Sequence, residues 1–121
     1  MNEPRNESLE SIGKEVALTF PSSARLIGVH RERGMDDLVA VKVEMDAADW
    51  PGFLGRTPVD ATLIRPGERG LLGPDEGFWD PHQAKNLHTV EATLPNQRVL
   101  NIGYDDSRKG VVVVYVVNHS R

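Results

Sequence analysis

VVVVYVV, residues 111–117, is the stretch whose reading decides the fold. In an extended strand Val111, Val113, Tyr115 and Val117 lie on one face and Val112, Val114 and Val116 on the other. Apolar residues on both faces demand cover on both. The run falls far short of the ~20 apolar residues of a membrane helix, and its β-branched valines favour a strand over a buried helix. It therefore reads as a central strand. The question it raises is what covers its second face: this chain, a second copy in a homodimer, or another protein.

Working outward, residues 99–104 lead through a turn at 105–110 into the valine strand. Before them Val90, Ala92 and Leu94 alternate with Thr89, Glu91 and Thr93, and Pro95 and Asn96 turn the chain. The last third thus reads as a three-stranded meander. Residues 24–31 and 38–45 read as a hairpin turning at Gly34, Met35, Asp36 and Asp37, with Val39, Val41, Val43 and Met45 on the buried side. A short strand is expected over 59–64.

Two helices complete the pattern. Leu9, Ile12, Val16 and Phe20 sit three and four apart in residues 8–20, although Gly13 weakens that stretch. In DAADWPGFL, residues 46–54, Asp46 is the expected cap, and Pro51 requires a first-turn position that would move the start to Asp49. Trp50 and Phe53 then cover one sheet face. The expectation is a single α+β domain over residues 8–121, with about five antiparallel or mixed strands packed by one or two short helices. Residues 1–7 are polar and read as a flexible N-terminus.

Composition narrows the function classes. The chain has 121 residues and a net charge of −4, 39% of its residues are hydrophobic, and it has no cysteine. That length suffices for a core without metal or disulfide support. The acidic balance, with no basic stripe, argues against nucleic-acid binding. Thiol catalysis and thiolate metal sites are excluded. The polar first fifteen residues contain no apolar signal core, so a cytoplasmic location is expected, or the cell envelope if an export signal has been removed.

Chemical motifs are sparse. His82 and His88 near Asp80 match no zinc spacing, and no metal or cofactor is expected. The acid pairs Asp36–Asp37 and Asp105–Asp106 read as turn formers. Gly67, Gly70 and Gly73 lack the GK[ST] of a phosphate loop, and no serine has a nucleophile-elbow context. What stands out is residues 66–88, a long turn-rich connection that carries Phe78 and Trp79. Such loops, held by a rigid scaffold, commonly carry binding. The candidate partner-binding residues are Arg65, Arg69, Asp75, Glu76, Phe78, Trp79 and His82. The competing reading has Phe78 and Trp79 folding back as core over the valine strand.

The segments FPSSARLIGVHRERGMDDLVAVKVEM, DAADWPGFL, LLGPDEGFWDP and RVLNIGYDDSRKGVVVVYVVNH together resemble a group of small uncharacterised bacterial proteins, some of them lipoprotein-like. The resemblance implies a compact domain and brings no catalytic residues with it. The functional expectation is a non-enzymatic module that binds a protein, concretely an immunity or inhibitor-type protein masking its partner. Two alternatives stand beside it. One is a small-molecule-binding or enzymatic domain with a pocket under residues 66–88, lined by Phe78, Trp79 and His82 and closed by Arg65 or Arg69. The other is a cell-envelope domain.

Overall fold

A computed structural model describes residues 8–34, 37–68, 70–71, 73–74 and 76–120. Among the described residues, six antiparallel strands form one sheet: β1 (Arg25–Glu32), β2 (Leu38–Asp46), β3 (Arg65–Pro66), β4 (Leu87–Thr93), β5 (Val99–Asp105) and β6 (Val111–His119). Their order is β1-β2-β6-β5-β4-β3, so the valine strand lies between β2 and β5. Residues 112–118 are all buried. The hairpin and the meander form as the alternation predicts. The sixth strand is the two-residue β3, paired through Arg65 and Thr89.

Two short helices, α1 (Leu9–Val16) and α2 (Trp50–Gly55), pack on one face of this sheet. Ser8 caps α1 by accepting the Ser11 N–H at 3.0 Å. The helix stops at Val16 rather than running on to Phe20, because Ala17 adopts a left-handed φ of 69° and the Leu18 N–H closes back on Gly13. Pro51 sits in the first turn of α2, where its missing donor costs nothing. Asp46 does not cap that helix. Ser23 Oγ instead accepts the Asp46 N–H and donates to Asp49 at 2.6 Å, and residues 47–49 form a 3-10 turn leading into α2.

The strand expected at 59–64 is also corrected. Asp60 accepts both the backbone N–H and the hydroxyl of Thr62, which winds Ala61–Leu63 into a 3-10 turn and delays pairing until Arg65. On this helical face Ile12, Val16, Phe53 and Met45 meet Val112, Val114 and Val116. A ring series, Phe20–Phe53–Trp50–Tyr104–His88, runs across it with centroid separations of 4.5–5.8 Å. Residues 1–7, with the expected flexible terminus, and the Met35–Asp36 part of the first turn lie outside the described residues.

Candidate functional site

The antiparallel register arranges the other face of the sheet in rows. Leu87, Asp105, Val113, Glu44 and Arg25 form the first row, and Thr89, Gly103, Tyr115, Lys42 and Gly28 the second. Glu91, Asn101, Val117, Ala40 and His30 follow, then Thr93, Val99, His119, Leu38 and Glu32. This chain itself covers the first two rows, through the connection between β3 and β4.

Trp79 is 7% exposed, stands edge-on to Tyr115 at 5.4 Å, and donates its indole N–H to the Leu71 carbonyl at 3.1 Å. Leu71 seats on Gly103 and Phe78 on Gly28. Glycine is required at both places because a Cβ would overlap the incoming side chain. Leu71, Trp79, Leu87, Val113, Tyr115 and Val117 thus belong to a second small core.

A polar anchor fixes the connection beside that core. Asp80 Oδ1 accepts from Lys42 Nζ at 2.8 Å and from the Tyr115 hydroxyl at 2.7 Å. Burial acts to raise the Asp80 carboxyl, but these two bonds and the Lys42 charge outweigh it and hold it below its ordinary value. Burial first, then the bond to Asp80, pushes the Tyr115 hydroxyl far above its ordinary value. Asp80 therefore rests as carboxylate and Tyr115 as neutral phenol. Each group is already engaged, which describes a clamp rather than a proton-transfer site.

At the β1 end His30 ties the connection down a second time. Its Nδ1 lies 2.5 Å from Glu76 and its Nε2 3.1 Å from Glu32. Glu44 pairs with both Arg25 and Arg108 at the opposite end of the face.

The candidate residues named from sequence separate in space. Trp79 is in the second core, and Phe78 is half-buried on Gly28. Glu76 is exposed and reaches His30 of the sheet, His82 is exposed on the connection, and Arg65 is exposed on β3 with its guanidinium on the Thr62 and Ile64 carbonyls. Arg69 and Asp75 lie outside the described residues. Phe78, Trp79 and His82 line none of the four principal clefts among the described residues; Arg65 lines one. The pocket expected under residues 66–88, lined by Phe78, Trp79 and His82, is not among those clefts.

His88 stacks on Tyr104 on the helical face, whereas His82 rides on the connection over the opposite face. Among the described residues no three His, Asp or Glu side chains gather into a metal-binding group. No described helix is long and apolar enough to cross a membrane.

Beyond the connection the last two rows open into a groove that the sequence did not announce. On its β6 side it holds about 360 Å³ between Glu32, Leu38, Gly70, Glu91, Asn101 and His119. On the far side of Gly70 it continues as a cleft of about 300 Å³ along Arg65, Thr89, Glu91 and Asn101. Alternation marked Glu91 as outward-facing, but only the register reveals that Asn101 lies beside it. No protein-family model, curated protein or solved structure matches the chain.

Proposed function

We propose that this chain is a non-enzymatic binding module that recognises a protein through the outer side of residues 67–86, most concretely an immunity or inhibitor-type protein that masks its partner. The observation that carries this reading is the two-sidedness of the connection. Its apolar side chains Leu71, Pro74, Trp79 and Pro81 are buried inward, while Glu68, His82, Gln83 and Lys85 are exposed. The Asp80 clamp and the Trp79 anchor hold residues 76–86 against the sheet, which lowers the ordering cost of that part on association. A long loop built this way is a preformed recognition surface.

Copurification of the whole chain with its cellular partner tests the proposal. The double substitution His82→Glu and Lys85→Glu should release the partner while leaving the urea midpoint close to that of the parent. Lys14→Glu, on the helical side, should keep it. A partner retained equally by both variants would refute recognition through this surface.

A further inference from the structure

The two edges of the sheet end differently. At one, β3 is two residues long, its Pro66 has no N–H to offer, and the 3-10 turn at Ala61–Leu63 shortens it. At the other, β1 runs from Arg25 to Glu32, paired with β2 on one side and with no described element on the other.

The ladder tells which groups β1 turns outward. The Ser120 N–H donates to the Asp37 carbonyl and the Ala47 N–H to the Gly110 carbonyl, which continues the β2·β6 pairing at both ends and assigns the odd-numbered residues of β2 to β6. The even-numbered ones, Ala40 and Lys42 among them, therefore bond β1 at His30 and Gly28. Val29, between these two, points its own N–H and C=O into the open edge.

This edge is also its own complement. Seven residues of β1 have partners on β2, and Ile27, 43% exposed, is the extra residue of a bulge. Val29 is thus the middle position, with Arg25, Leu26 and Gly28 before it and His30, Arg31 and Glu32 after it. About a twofold axis at Val29, an antiparallel second copy sets Arg25 against Glu32, Leu26 against Arg31 and Gly28 against His30, each pair on a single face of the sheet. Without the bulge the same axis would oppose Arg25 to Arg33, like charge to like.

We propose that the outer edge of β1 pairs antiparallel with β1 of a second copy, joining two six-stranded sheets into one continuous sheet. The end pairs supply the charge complementarity. The Arg25 side chain is 69% exposed and spends one donor on Glu44, while Glu32, 53% exposed, engages His30 through one oxygen and keeps the other. The twofold axis makes each pair twice, and such a contact closes on itself as a dimer rather than growing into a filament.

Sedimentation of the whole chain over a concentration series tests this interface. The parent should pass from monomer to dimer, and the Val29 amide should gain protection from hydrogen exchange as the dimer forms. Arg25→Glu and Glu32→Arg should each raise the dimer Kd roughly tenfold or more, because each turns two symmetry-related pairs into like charges. Mixed in equal amounts the two variants should associate again, since the mixed pair opposes unlike charges at both ends. If Arg25→Glu fails to fold, Glu32→Arg and the Val29 protection decide on their own.

A parent that stays monomeric at every concentration, or a dimer that neither variant weakens, would overturn the proposal. So would two weakened variants that fail to associate when mixed, because Arg25 and Glu32 would then not face each other. The interface is separate from the surface of the proposed function: the His82→Glu and Lys85→Glu variant should dimerise like the parent, and a dimer lost with it would overturn β1 as the contact.

Discussion

Truncating Trp79 to alanine tests the two-core architecture directly. The substitution removes a ring that is 7% exposed, its edge-on contact with Tyr115, and the indole bond to the Leu71 carbonyl. Large-aromatic-to-alanine changes in cores cost about 3–5 kcal/mol. The Leu71 carbonyl also loses its indole donor, so about 4 kcal/mol is expected. Against a total of ~5–15 kcal/mol the variant should remain folded at room temperature. Its melting temperature should fall by roughly 15 °C for a chain of this size.

Urea titration followed by circular dichroism measures the loss. Fluorescence of Trp50, which packs on the opposite face, reports whether both cores melt together. A loss below about 1 kcal/mol would refute the claim that Trp79 is structural cover, because a core ring cannot be removed so cheaply. So would a Trp50 transition at the parent midpoint while the circular dichroism midpoint shifts.

Three further outcomes are expected. Val113→Asp and Val114→Asp each bury a carboxylate, one on either face of β6, at a cost of several kcal/mol, and should abolish folding; a soluble variant with an unchanged urea midpoint would refute burial at that position. Because Asp80 is held below its ordinary value when folded, its contribution is present above the unfolded carboxylate pKa of ~3.9 and is lost as pH falls through the folded value. Asp80→Asn should therefore flatten stability against pH on the acid side of about pH 4, and an acid limb as steep as the parent's in urea melts would contradict the clamp. Gly28→Ala must displace the Phe78 ring and should cost about 1–3 kcal/mol in the same melts, whereas Gly77→Ala, with open space at its Cβ, should be near neutral; equal effects would argue against the seating of Phe78.

The strands were legible wherever one physical signal dominated. Alternation in Val39–Met45 and the unbroken valines of β6 specify buried faces that no local interaction competes with. Local side-chain chemistry overrode pattern elsewhere: Asp60 took Thr62 into a turn, and Ala17 ended α1 in a conformation that its type seldom adopts. Gly28 and Gly103 carry no periodic signal of their own, and their role as seats for Phe78 and Leu71 depends on a connection packing from far along the chain. The candidate site was legible in the same partial way. Residues 66–88 stood out by length and composition, but the division of Trp79 inward and His82 outward depends on how the connection packs on the sheet. The groove was hidden because residues from four strands, Glu32, Glu91, Asn101 and His119 among them, come to line one face only through strand register.

The position of β6 also governs the order in which the molecule can be assembled. The central strand is the last of the six along the chain, and its partner β2 lies far upstream, Val41 pairing with Val116. Until β6 arrives, β2 and β5 each carry an unpaired backbone edge, and neither the helical core nor the Trp79 core has a floor. Contacts of such long sequence separation slow folding, because the loop they close must be ordered before any pairing rewards it. The half-built sheet is meanwhile the species most exposed to association with other chains. Strand β6 is thus both the keystone of the native sheet and the step on which its rate of formation depends.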